Sequence, residues 1–368
     1  MKKILSCYLI PGAIFQSSIM AGGYGTGREV MEYVSKHGPW GGLLACLVAV
    51  LIFSVVLSLT FELARLFKTH DYQSFIKILL GPGWVFYEGL LLTSMLVVTA
   101  VIAAASGQVL SDILPVPAWV GVAMMLVVIV ILNYLGRAVV VAAMGITAVL
   151  VTVVLLAYCA IAISSQTLPL AELFATSSSF NVDVLYGGAT FAIYNCLSLP
   201  VLLFAATAIE NRKQAFSAGI IGAFLAVLPA VFLHLSFLEH IPTLVSNELP
   251  TYWMLKMIDI KWFFAIYLLV LFSTVVQSGV GVLHGLNERI DNSLRKSRGV
   301  GLSKLAQAMI SGGFVLVSAI LAQVGVIELI ATGYRFIAIG LLFVYIIPLV
   351  TWGCYRIFWQ PRDNALAQ

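Results

Sequence analysis

The stretch Met20-Ala-Gly-Gly-Tyr-Gly-Thr-Gly-Arg-Glu29, MAGGYGTGRE, decides how this chain is read. It follows an apolar run, sets four glycines within six positions and ends on a charged pair. Glycine weakens a helix by roughly 1 kcal/mol relative to alanine, and charges near lipid are costly. A membrane helix carrying both features at one point is expected to be broken there.

Around this stretch, the 368 residues are 61% hydrophobic and only 10% charged, against roughly 25% charged in a soluble domain. Ten stretches of twenty or more residues contain no Asp, Glu, Lys or Arg: 4–27, 38–61, 89–111, 113–136, 138–171, 184–209, 215–238, 262–287, 305–327 and 336–355. About 20 apolar residues cross a bilayer as a helix, and lipid-exposed backbone must satisfy its own hydrogen bonds. The expectation is an all-α polytopic membrane protein of ten transmembrane helices. If the N-terminus lies inside, the outer segments hold only Arg28, Lys36, Lys256, Lys261 and Arg335 of the 20 Lys and Arg. The positive-inside rule then puts both termini in the cytoplasm. The net charge of +4 is a topology signal and no sign of nucleic-acid binding. The opening MKKILSCYLIPGAIF has no A-x-A cleavage site and is retained as part of span 1. Five cysteines, at 7, 46, 159, 196 and 354, show no C-x-x-C spacing and read as small core residues.

Polar connections fall at 62–88, 239–261 and 288–304. The first is expected to form an amphipathic helix on the inner surface, the second to cover an external vestibule. Ten spans divide into five plus five, so the second half starts on the opposite side from the first. The expected organisation is an inverted repeat over 1–165 (spans 1–5), an outer connection over 166–182, a second repeat over 183–360 and a cytoplasmic tail over 361–368. Both repeats should open with a broken helix. Span 6 contains Tyr194-Asn-Cys-Leu-Ser-Leu-Pro200 near its middle, and Pro200 removes a backbone donor and leaves the carbonyl of Cys196 unpaired. Matched breaks in spans 1 and 6 point to a transporter's binding site.

MAGGYGTGREVMEYV and YNCLSLPVLLF resemble the YkvI-like bacterial membrane proteins of the amino acid–polyamine–organocation superfamily. That resemblance implies the five-plus-five inverted-repeat fold of the sodium-coupled leucine transporter, and transport without a named cargo. Position 28 departs from the family, which usually has Gln where this chain has Arg.

Main-chain groups freed at the breaks need partners, which a polar solute and a small cation supply. The expected substrate-binding residues are Gly22, Gly23, Gly25, Thr26, Gly27, Tyr194, Asn195 and Ser198. The outer half of span 1 begins near Gly27, where its dipole favours an anionic group such as a carboxylate. Gly23-x-x-x-Gly27 equally fits a helix-packing motif. Glu29 has three readings: proton carrier, cargo ligand or outer gate. As implied by the fold, the gate pairs it with Arg335 and leaves Arg28 in solvent; the competing placement puts Arg28, Glu29 and Glu32 in the headgroup zone. Sodium-using relatives place paired hydroxyls in span 8 beside span 1 carbonyls, which implies an ion site from Ala21, Gly23, Ser273, Thr274 and Ser278. Those span 8 hydroxyls equally fit bonds back to their own helix. His234 and His284 fit satisfied interior histidines better than proton carriers.

No H-E-x-x-H, P-loop or nucleophile-elbow motif occurs, so the chain is read as a non-enzyme. The leading expectation is a secondary transporter of the bacterial inner membrane. It would move a small polar organic solute such as an amino acid, with sodium preferred over protons as coupling ion and no other cofactor. Its partners are that solute and the lipid bilayer; oligomeric state lies beyond the sequence. The rivals are an ion channel, which needs a continuous polar pore, and a non-transporting scaffold or sensor.

Overall fold

A computed structural model describes residues 5–20, 24–135, 137–175, 181–199 and 203–359. Ala21, Gly22, Gly23 and Pro200 lie outside the described residues. Among the described residues the chain is helical with turns and no strand. Six helices among the described residues are long and apolar enough to cross a membrane: Arg28–Phe67, Tyr72–Ile113, Arg212–Leu244, Lys261–Asp291, Lys304–Ala322 and Val326–Phe358.

The first helix, α1 (Ile10–Ile19), ends before the glycines, and the chain resumes as α2 (Arg28–Tyr33). A short turn at Ser35–His37 leads into α3 (Gly38–Phe67). The connection after α3 forms the helix its pattern called for, α4 (Tyr72–Leu80). Asp71 caps it by accepting from the amide of Ser74 at 2.9 Å, and Phe75, Ile76 and Leu79 are buried on one side. There follow α5 (Trp84–Ile113), α6 (Ala118–Leu135), α7 (Arg137–Ser164), a short α8 (Leu170–Ala175) and α9 (Asp183–Asn195). The chain then tightens into a 3-10 turn at Cys196–Ser198 and a second at Ala205–Ala208. The remainder is α10 (Arg212–Phe237), α11 (Pro250–Ile258), α12 (Lys261–Arg298), α13 (Lys304–Ala322) and α14 (Val326–Phe358).

Several boundaries differ from the charge-free runs. Helix α5 begins at Trp84 and so takes in Glu88, whose charge is met by Arg289 at 2.7 Å. Helix α7 stops at Ser164, well short of 171, ahead of Pro169. Helix α14 starts at Val326, ten residues before 336, and so includes Glu328 and Arg335.

Helices α1, α3 and α10 approach closely because glycines face their partners. A Cβ on Gly219 of α10 would lie 2.5 Å from the Ser58 amide nitrogen of α3, and one on Gly12 of α1 would lie 2.7 Å from the Gly222 Cα. At the other end of the α3–α10 contact, His234 fills the space over Gly42. Its Nδ1 meets Ser35 Oγ at 3.0 Å and its Nε2 meets the Pro39 carbonyl at 2.9 Å. It is a fully satisfied interior histidine. All five cysteines are free thiols, and four of them are buried.

Candidate functional site

The two interruptions meet. Helix α1 packs on the Cys196–Ser198 turn, while α2 packs on α9, so the piece before one break touches the piece after the other. Tyr24 is buried beside the first break, stacks on Phe191 of α9 at 6.1 Å and donates to the Ala226 carbonyl of α10 at 3.0 Å. Gly25 and Thr26 form a turn, and Gly27 takes a left-handed conformation with φ of 73° before α2 begins. Only glycine adopts that conformation readily.

The carbonyls freed by this turn are bonded. Gly25 O accepts from the Tyr267 hydroxyl of α12 at 2.5 Å and from Thr251 Oγ1 of α11 at 2.9 Å. Thr26 O accepts from the Thr251 amide at 3.3 Å. Within the connection over 239–261, Val245, Asn247 and Thr251 thus hold it on the break as a cover. Arg28 fastens it. Its guanidinium donates to the carbonyls of Val245 at 2.6 Å and Asn247 at 3.1 Å and pairs with Glu32, which also takes Lys36 Nζ at 2.6 Å. Arg28 is 1% exposed, which corrects the expectation that it faces solvent: two loop carbonyls and a carboxylate make an interior position tolerable. Tyr267→Phe should remove one bond to Gly25 O, worth about 1 kcal/mol net. Amide exchange over 245–258 is expected to quicken by roughly fivefold, measured by hydrogen–deuterium exchange.

Glu29 is buried behind Arg28, where it accepts a hydrogen bond from the Tyr194 hydroxyl, and Tyr334 of α14 neighbours the same carboxylate. Rings close round it: Tyr194 lies 4.8 Å from Tyr334, 5.6 Å from Tyr33 and 5.9 Å from Phe191. The Tyr33 hydroxyl donates at 2.5 Å to the Ile330 carbonyl in a π-helical segment, Leu329–Tyr334, of α14. Such bulges loosen the helical ladder and recur at functional sites. Arg335 is exposed, with its guanidinium carbon 5.4 Å from the Tyr186 ring centroid, and no Glu29–Arg335 ion pair is present among the described residues. The carboxylate faces inward and the arginine faces out, so the expected gate pair is not made.

Asn195 is buried and donates to the Phe191 carbonyl at 2.9 Å; Ser198 closes the 3-10 turn beside it. In span 8, Ser273 donates to the Leu269 carbonyl at 2.7 Å and Thr274 to the Val270 carbonyl at 2.8 Å, both within their own helix. Ser278 lies one turn further along α12. A cavity of ≈ 10 Å³, about one water in size, sits between Thr26, Ser106 and Leu271 at the break. A larger one of ≈ 260 Å³ opens outside the cover, among Gln108, Asp112, Glu248, Tyr252 and Lys256. At the opposite end, Glu62 of α3 is fully buried and holds both Arg65 at 2.8 Å and Arg212 at 3.0 Å.

Sequence reasoning missed Thr251, Tyr267, Tyr33 and Tyr334. Tyr267 and Tyr334 stand in largely apolar stretches, while Tyr33 follows Glu32 in a charged one. The one available signal is that a buried phenol usually needs a polar partner.

No family model matches the chain. It is 24% identical over 339 residues, 87% of its own length and 89% of the other, to the uncharacterised membrane protein YkvI of Bacillus subtilis (strain 168). A substrate-bound, outward-open Na+-coupled sialic acid symporter superposes on 93% of the chain and 79% of its own, with a TM-score of 0.62 at 13% identity. A manganese transporter of Eremococcus coleocola superposes on 95% of the chain and 79% of its own, with a TM-score of 0.58 at 13% identity. The structures it resembles are transporters rather than enzymes. The chain is thus a multi-pass membrane protein that resembles YkvI along nearly its whole length.

Proposed function

We propose that the chain is a secondary active transporter of the bacterial inner membrane that moves a small polar organic solute by alternating access. The observation that carries this reading is the meeting of two interrupted helices, α1–α2 and α9, which pack against each other at their breaks. A scaffold has no use for two such breaks, and a channel needs a continuous polar path in place of a buried, covered site. The likeness to transporter structures supports the same choice.

In this reading the ten spans are the six long helices, α6, α7 and the two broken ones, arranged as inverted repeats over 1–165 and 183–360 with both termini in the cytoplasm. The solute sits between Gly25–Gly27 and Tyr194–Ser198, beneath the cover tied to Arg28. Spans 1, 2, 6 and 7 rock against the rest. Sodium is the coupling ion, in keeping with the symporter likeness. The Thr274 hydroxyl donates to the Val270 carbonyl and keeps its oxygen lone pairs for the ion.

The test is thermal unfolding of the purified chain with amino acids, amines and organic acids, in sodium or potassium and at two pH values, followed by uptake into proteoliposomes. A ligand present at 100 times its Kd stabilises by about 2.7 kcal/mol, a readable shift. Sodium-dependent stabilisation and uptake of the same solute is the expected result. Single-channel currents, or no response to any solute, would remove the reading.

A further inference from the structure

Helix α3 ends in a Schellman turn. The Lys68 amide donates to the Arg65 carbonyl at 3.4 Å and the Thr69 amide to the Ala64 carbonyl at 3.0 Å, the two bonds that define such a turn. Its left-handed corner ordinarily falls to glycine, and here it is Lys68, at φ of 51° and ψ of 35°. Among the described residues the one other non-glycine at positive φ is Asp259, of a type that tolerates it better. The Lys68 side chain is exposed and makes no ion pair among the described residues, so the corner keeps a cation at a conformational cost.

A second cation is set beside it. Phe67, the last residue of α3, lies under the Arg356 guanidinium of α14, with the guanidinium carbon 5.1 Å from the ring centroid, and the Trp352 ring holds the same group at 5.0 Å. Ring faces fix a guanidinium without cancelling its charge. Thr69 is only 7% exposed, yet its Oγ1 has no hydrogen-bond partner among the described residues, and neither has Nδ1 of His70. The acids of this end are already engaged: Asp71 caps α4 through the Ser74 amide, and Glu62 holds Arg65 and Arg212. The rim is aromatic. Trp352 stacks on Tyr355 with centroids 5.5 Å apart, and Trp359 is 70% exposed. Exposed Trp and Tyr at a helix end mark headgroup depth.

We infer that this corner, between the ends of α3 and α14, binds the phosphodiester of an anionic phospholipid in the cytoplasmic leaflet. Lys68 and Arg356 supply the charge, the Thr69 hydroxyl and the Nδ1–H tautomer of His70 supply donors, and the indoles sit among the glycerol groups. A zwitterionic headgroup brings its own cation to the same place and is disfavoured. The inference goes beyond transport and takes from the reading above only which end of the bundle faces the cytoplasm, and binding measured in detergent does not depend on that.

The test uses the full chain purified in detergent, with phosphatidylglycerol, phosphatidylcholine of the same acyl chains, and inorganic phosphate as probes. Phosphatidylglycerol should raise the unfolding temperature, and the other two should not. Lys68→Gly and Arg356→Gln should each weaken phosphatidylglycerol binding by ~5-fold in a lipid titration, the effect of one basic residue beside an anionic surface. Without lipid, Lys68→Gly should melt no lower than the parent, because glycine suits the left-handed corner. That split separates a lipid contact from a structural role. The Lys68→Gly result stands even if Arg356→Gln, which also strips packing from two rings, does not fold. Equal stabilisation by the two lipids would overturn the inference and leave an ordinary aromatic belt. So would unchanged phosphatidylglycerol binding in Lys68→Gly, or inorganic phosphate stabilising as well as the lipid does. Each of these outcomes leaves the transporter reading where it stands.

Discussion

Glu62→Ala should lower unfolding stability by about 2–4 kcal/mol, the range for stripping one partner from a buried ion pair after discounting for the water that Arg212 keeps. The Glu62 side chain is fully buried, whereas the Arg212 side chain is 46% exposed and that of Arg65 20%. Arg65 reaches both carboxylate oxygens, from Nε to Oε2 and from Nη2 to Oε1, each at 2.8 Å. Arg212 adds Nε to Oε1 at 3.0 Å and carries Nη2 on to the Ile357 carbonyl at 2.8 Å. Removing the carboxylate therefore leaves two guanidinium groups facing each other and loosens the tie from α3 through α10 to the end of α14. Thermal unfolding should show a drop of several degrees. Glu88→Ala, which breaks the single pair with Arg289, should drop less. If Glu62→Ala melted with the parent, the triad would be incidental to stability.

Gly219→Val should be more damaging still. A Cβ there would fall 2.4 Å from Ser58 Oγ and 2.5 Å from the Ser58 amide nitrogen, and backbone cannot step aside as a flexible side chain can. Overpacking a good core ordinarily costs about 1–3 kcal/mol, and separating two long helices adds lost contacts along their length. The expected result is loss of monodisperse protein on size exclusion. Gly312→Val is the control, because a Cβ at Gly312 meets nothing within 4 Å. Equal recovery of both variants would show that the helices adjust freely.

Much of the fold was legible because its decisive signals are local. A charge-free run of twenty residues carries its own reason to be a membrane helix, and glycine or proline breaks a helix through its own backbone. The interruption over Gly25–Gly27 and the loosening after Asn195 are of this kind. The burial of Arg28 is not, because it depends on carbonyls of Val245 and Asn247 arriving from a connection more than 200 residues later in the chain. The partners of Gly25 O are similarly remote, 226 residues away at Thr251 and 242 at Tyr267. Ser273 and Thr274 show the reverse: two hydroxyls in sequence cannot reveal whether they point to a neighbour or bond within their own turn, and here they bond within it. The Glu29–Arg335 pairing failed on direction. The resemblance implied the pair, and only packing decided that one faces the bundle and the other the surroundings.

The glycine contacts between α3 and α10, closed at one end by Ser58 against Gly219 and at the other by His234 over Gly42, bear on how this protein can move at all. Two rods welded at both ends cannot slide or splay against each other without breaking the weld. Any displacement that admits a solute must then carry the pair as one block, with α1 attached through Gly12 and Gly222. The bending falls to the few residues that join this block to its neighbours.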